Sequence, residues 1–108
     1  MKYKINWHTR KLEKNKERIY YKFDDGGHGW LRVHIKDIIK AGIEKLITHW
    51  SYIKGKYVYL EEDCDMSLFI DKMKDIDIIT KYTKWSKIRE FESYSVETLN
   101  NNLTLLES

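Results

Sequence analysis

The chain has one cysteine, Cys64, no proline and only 5 glycines in 108 residues. A lone cysteine excludes an internal disulfide and any zinc knuckle built on paired cysteines, and it suits a reducing compartment. The missing proline, alongside abundant Lys, Ile, Asn and Tyr, reads as the coding bias of an AT-rich genome and carries no functional weight. There is no run of about 18 apolar residues to span a membrane. The opening MKYKINWHTRK is basic but lacks the apolar segment of a signal peptide. These absences predict a soluble, cytoplasmic chain with no membrane partner. Known motifs are missing too. There is no GxGxxG and no GxxxxGK before Ser or Thr, so no nucleotide site is expected. His8, His28, His34 and His49 are scattered without HxH or HExxH spacing, so no metal site and no cofactor are expected.

What is present predicts a packed domain. Hydrophobic residues make up 42% and aromatics 14% of the chain, beyond what a disordered segment carries. The length suits one domain over residues 1–108. Charge is unevenly placed: residues 1–60 hold 14 Lys and Arg against 6 Asp and Glu, whereas residues 61–108 hold 6 against 11. Such a chain either folds so that its halves neutralise one another or keeps separate basic and acidic faces.

Alternation of Tyr3, Ile5 and Trp7 with polar neighbours predicts a strand over residues 3–7. RKLEKNKER reads as a charged loop, and RIYYKF as a second strand at 18–23 that pairs with the first. Residues 1–22 thus form a basic N-terminal extension or hairpin. Asp24 to Gly27 have the chemistry of a tight reversal, and HGWLRVHI follows as a strand with Trp30 in the core. Ile35, Ile38, Ile39, Ile43, Leu46 and Ile47 fall at helical spacing, with a break predicted at Gly42 as C-cap and a short helical turn beyond it. HWSYIKGKYVYLEED predicts a hairpin of two strands around Lys54, Gly55 and Lys56. DCDMSLFIDKMKDI predicts an amphipathic helix capped by Asp63 or Asp65. DIIT and KWSKIREFESYSV supply two further strands, and residues 97–108 read as a weak helix or loose tail. The fold class that results is α+β, with a mostly antiparallel sheet and two main helices.

Three groups of residues could carry chemistry. Glu61, Glu62, Asp63 and Asp65 crowd a strand-to-helix junction; such acids bind Mg²⁺ in nucleases, but they also stabilise a helix start unaided. Cys64 beside those acids is expected to have a raised pKa and poor reactivity. DDGGHGW, residues 24–30, reads as a turn entering a core strand. His28 stands open between bonding a neighbouring loop and facing a ligand. Finally, Lys2, Lys4, Lys11 and Lys14 interleave with aromatics such as Trp7, the pairing of cation and ring that nucleic-acid binding uses, and also what a half-exposed strand looks like.

HGWLRV, the short helix ending in AGI, SYIKGKYVYLEEDCDMSLFIDKM and KIREFESY together resemble a family of small proteins encoded by bacteriophages, prophages and plasmids. The resemblance covers about residues 23–95. It supplies a genomic setting and no mechanism. In that setting it implies a noncatalytic inhibitor of a host defence system, comparable to anti-CRISPR proteins, that binds a host defence protein or ribonucleoprotein complex. The expected protein-binding residues are the acids Glu61, Glu62, Asp63 and Asp65, taken to be exposed, with Tyr52, Lys54 and Arg89 as secondary contacts. The alternative is a nucleic-acid-binding module using Lys2, Lys4, Trp7, Lys11 and Lys14; a metal-dependent nuclease ranks third.

Overall fold

A computed structural model of the protein describes residues 3–6, 11–14, 18–84 and 86–107. Among them are eight strands and three α-helices: β1 (Tyr3–Asn6), β2 (Lys11–Lys14), β3 (Arg18–Asp24), β4 (Gly29–His34), α1 (Ile35–Ala41), β5 (Tyr52–Lys54), β6 (Tyr57–Glu61), α2 (Met66–Met73), β7 (Ile76–Tyr82), β8 (Glu92–Ser93) and α3 (Val96–Glu107), with a 3-10 turn at Lys87–Glu90. β3 to β8 form a six-stranded sheet in the order β7-β3-β4-β6-β5-β8. Every neighbouring pair is antiparallel except β3 with β7. The fold is α+β with a mostly antiparallel sheet, as the sequence predicts. No helix among the described residues is long and apolar enough to cross a membrane.

Alternation along the strands divides the side chains between two faces. Leu31, Val33, Ile53, Val58 and Leu60 turn to one face and are buried with Ile38 of α1, Phe69 of α2 and Leu99 of α3. Phe69 meets the ring of Tyr20 edge-on at 5.0 Å. Trp30 and Tyr59 turn to the other face, where none of the described α-helices lies and Ile88 of the 3-10 turn completes a smaller cluster.

The helix ends follow local chemistry. Nδ1 of His34 accepts the Lys36 N–H at the start of α1. Gly42 ends it at φ 68°, with its N–H turned back on Ile38 and Ile39, the left-handed cap predicted from the sequence.

Two expectations change, and two are refined. β1 pairs with β2, inside the charged stretch read as a loop, whereas β3 pairs with β4 and β7; residues 3–6 and 18–23 are therefore not partners. Ladder pairing is a backbone matter, and a charged sequence does not prevent it. KWSKIREFESYSV forms the 3-10 turn and the two-residue β8 in place of a full strand, because Ser86 caps the turn by accepting the Ile88 N–H. Asp65 occupies the N-cap position of α2, but its carboxylate makes no capping bond. The segment read as weak helix or tail is α3, whose Leu99 is buried.

Replacing Phe69 with Ala removes a fully buried ring from between α2 and the sheet. The expected loss is about 3–5 kcal/mol of unfolding free energy, measured by urea titration.

Candidate functional site

Segments distant in sequence meet at one end of the helix-free face. His28 and Trp30 from the β3–β4 reversal, Trp50 and Tyr52 at the entry to β5, and Glu61, Asp63 and Cys64 at the β6–α2 junction line a solvent-open pocket of about 380 Å³ with Arg89 of the 3-10 turn. Its size is within the usual range for ligand sites.

The reversal that supplies His28 is built by its own acids. Asp24 accepts the Gly26 N–H, and one oxygen of Asp25 accepts the N–H groups of Gly27 and His28 at 3.2 and 3.0 Å. Gly26 sits at φ 85°, as a tight turn requires. Gly29 answers a different need: a Cβ there would lie 2.7 Å from Lys22 Cε and 2.9 Å from a Glu62 oxygen. DDGGHGW is thus a turn and also a pocket wall.

Arg89 holds the 3-10 turn against this reversal. Its guanidinium grips Asp25 through two bonds of 2.9 Å and lies 5.3 Å from the centre of the Trp30 ring. The Arg89 hydrogen bonds, with those from the His28 and Gly27 backbone, hold the Asp25 carboxyl well below the usual carboxylate range. The same contact raises the Arg89 pKa. A bidentate pair of this kind is internally neutral and geometrically fixed.

The four junction acids, expected to be exposed, have separate fates. Asp65 is 0% exposed. Its carboxylate accepts from the Thr48 N–H and hydroxyl and from the Ser51 hydroxyl. Glu61 is 7% exposed, and one of its oxygens accepts the N–H groups of Asp63 and Cys64, both at 2.9 Å. Glu62 is half-buried and forms an ion pair with Lys22. Only Asp63 is exposed. The cluster is a set of internal acceptors with one free member, because acids packed beside a loop of unsatisfied N–H and O–H groups are drawn into satisfying them.

Of the secondary contacts, Tyr52 lies half-buried in the pocket, its ring edge-on to Trp30 at 6.3 Å. Arg89 also belongs to the pocket, but Lys54 does not; it is exposed near the Phe91 ring. Lys2 and Trp7 lie outside the described residues, and Lys4, Lys11 and Lys14 are described only as strand positions in β1 and β2.

Two features of the pocket invite an occupant. Trp30 is 2% exposed, and its indole N–H has no hydrogen-bond partner among the described residues. His28, Glu61 and Asp63 each offer a ligand atom within 4.8 Å of one another, an arrangement able to hold a metal ion. His28 Nδ1 is 3.8 Å from the free oxygen of Glu61. Neither Glu61 nor Asp63 is paired with a lysine or arginine among the described residues. With Arg89 and Asp25 cancelling, the pocket combines aromatic walls with carboxylates that have no lysine or arginine partner among the described residues. The Cys64 thiol is pushed up, first by its hydrogen bond to Glu61 and then by burial, which makes it a poor nucleophile at neutral pH.

The sequence reading passed over Trp50, which is 60% exposed at the pocket rim. It sits in a segment with no apolar periodicity, and nothing local marks it. The Asp25–Arg89 contact spans 64 residues, a separation no spacing argument reaches. Comparisons with protein families, curated proteins and solved structures find no match to this chain.

Asp65→Ala strands the Thr48 and Ser51 donors and is expected to cost about 3 kcal/mol or more, while Asp63→Ala changes stability by no more than about 0.5 kcal/mol; urea unfolding of the two variants checks the contrast. Asp25 has a folded pKa below its unfolded value near 4, so its contribution is complete above that value and fades as pH falls through it toward the folded pKa. The stability difference between wild type and Asp25→Asn is accordingly expected to shrink as pH drops from about 5 to about 2, measured by thermal melts across that range.

Proposed function

We propose that this protein is a noncatalytic binding protein of a mobile genetic element, acting in the cytoplasm of a bacterial host by occupying a defence protein or ribonucleoprotein complex. The contact it makes is the pocket at the end of the sheet, which accepts a cationic side chain of the partner.

The observation that carries this reading is the pairing of Trp50, Tyr52 and Trp30 with two carboxylates that lack a lysine or arginine partner among the described residues. Aromatic rings attract a desolvating cation through their faces, and a carboxylate at the same place completes its hydrogen bonds. Proteins that handle nucleic acids present lysine and arginine on their working surfaces, so a pocket selecting those groups competes at the functional surface. The acidic contact expected from the sequence is thereby reduced to Asp63 and the outward oxygen of Glu61.

A divalent ion held by His28, Glu61 and Asp63 is the second reading, favoured by their spacing within 4.8 Å. One nitrogen and two oxygen donors suit zinc, manganese or iron.

Titration with arginine- and lysine-containing peptides, followed by Trp fluorescence, separates the two. The expected outcome is a saturable change that an acetyl-lysine peptide does not produce, with Trp50→Ala and Asp63→Asn each weakening binding by about 1–2 kcal/mol. A flat response to every basic peptide at millimolar concentration removes the side-chain reading. Saturation by zinc or manganese alone, lost in His28→Ala, supports the ion in its place.

A further inference from the structure

The helix-free face continues beyond the pocket, and its register sets aromatic and basic residues side by side. Tyr21 pairs with Arg32, Arg32 with Tyr59, and Tyr59 with Tyr52. Phe23 pairs with Trp30 in the next row, and His34 with Tyr57 in the row on the other side. Paired residues share a face, so these rows form one surface. Ile88 of the 3-10 turn and Phe91 pack on the part holding Trp30 and Tyr59, with Phe23 and Tyr57 at the edge of that cluster. Tyr21, Phe23, Arg32 and Tyr57 are half-buried, so each presents part of its side chain to solvent, while Lys56 and Lys81 beside them are exposed.

The Arg32 guanidinium lies 5.6, 5.3 and 4.7 Å from the ring centres of Tyr21, Phe23 and Tyr57. Lys81 Nζ lies 4.7 Å from the Tyr21 ring centre, and Lys56 Nζ lies 5.6 Å from that of Tyr57. A groove of about 220 Å³ opens here, lined in part by Tyr21, Arg32, His34 and Tyr57. The carboxylates at its margin are Asp37, engaged by the Tyr20 hydroxyl at 3.0 Å, and Asp77, beside Ile19.

We infer that this face binds single-stranded nucleic acid. Rings set among cations match a polymer that alternates flat bases with phosphates, and stacking on rings is the main sequence-tolerant way of holding unpaired bases. A duplex hides its base faces and would offer the surface only phosphates. An acidic peptide has charge of the right sign but no flat group to stack. The surface adjoins the pocket through Trp30 and Tyr52, but Tyr21, Arg32, Lys56, Tyr57 and Lys81, which carry this inference, are not among the residues assigned to capture of the cationic side chain, so the two proposals are tested separately.

The experiment is fluorescence anisotropy with a labelled twelve-nucleotide oligo-dT and oligo-rU, a duplex of equal length and a polyglutamate competitor, run across a salt series. The expected result is binding of the single strands that weakens with salt and exceeds duplex binding. Lys56→Glu with Lys81→Glu is expected to lower affinity about tenfold or more and to flatten the salt slope. Tyr57→Leu, which keeps an apolar group while losing the ring, is expected to lower it about fivefold or more. Unchanged near-ultraviolet circular dichroism shows that each variant is folded. The inference is overturned by no binding at low salt, by equal duplex binding, by equal competition from polyglutamate, or by affinity that survives in the folded charge-reversal variant, which would put any binding elsewhere on the chain.

Discussion

The Asp65 carboxylate has no contact with solvent, and a group so placed is tolerated only where its acceptor positions are filled. The fold fills them with Thr48 and Ser51, 17 and 14 residues upstream. Ser51 then passes the restraint on: its hydroxyl accepts the Glu61 N–H, its N–H donates to the Thr48 carbonyl, and its own carbonyl accepts the Tyr94 N–H. One carboxylate therefore ties together the loop after α1, the end of β6, the start of α2 and the approach to α3. Removing it would leave several polar groups buried without partners, and such groups cost more than the bonds they lose.

The pocket inherits its shape from that network. With Thr48 and Ser51 fixed, Trp50 is held between them at the surface and Tyr52 enters β5 facing Trp30. Glu61 is anchored on two sides, by its own N–H to Ser51 and by a side-chain oxygen to the Asp63 and Cys64 amides, which leaves its other oxygen toward His28. The opposite wall is fixed independently by the bidentate Arg89–Asp25 contact. Both walls are therefore set before any occupant arrives, and groups already ordered lose little freedom on binding.

What the sequence disclosed was local in origin. The hairpin from Tyr52 to Glu61, the Gly42 cap and the amphipathic face of α2 follow from alternation, glycine placement and helical spacing, each contained within about a dozen residues. The reversal at Asp24 to Gly27 and the burial of Trp30 were legible for the same reason. The acidic cluster was not. Its four carboxylates look alike in sequence, and what distinguishes Asp65 from Asp63 is the position of a loop 14 or more residues away. The parallel pairing of β3 with β7 was equally hidden, since β7 is an edge strand whose residues are mostly exposed and so carry no strong alternation. The pocket lay between these extremes: the sequence named Tyr52, Glu61, Asp63 and Arg89 and kept His28 open, yet only the folded chain joins them and adds Trp50.

The uneven charge of the chain is resolved without simple neutralisation of one half by the other. Lys22 reaches Glu62 across the boundary, and the hydrogen bond it donates to that carboxylate raises the lysine pKa. Asp25 and Arg89 cross it in the opposite sense, an acid of the basic half meeting a base of the acidic half. Arg32 packs among the rings of Tyr21, Phe23 and Tyr57. Burial raises the Tyr59 pKa, and the nearby Arg32 charge only partly offsets it. Amphipathic side chains are what this sheet requires: one face is sealed by three helices and takes aliphatic residues, while the other has no helix to cover it and must be packed yet wet. Tyrosine, tryptophan and arginine meet both demands, with an apolar body against the sheet and a polar end at the surface. The rings of Tyr21, Tyr52, Tyr57, Tyr59 and Trp30 thus suit a sheet face that none of the described α-helices covers, and both the pocket and the aromatic groove open on that face.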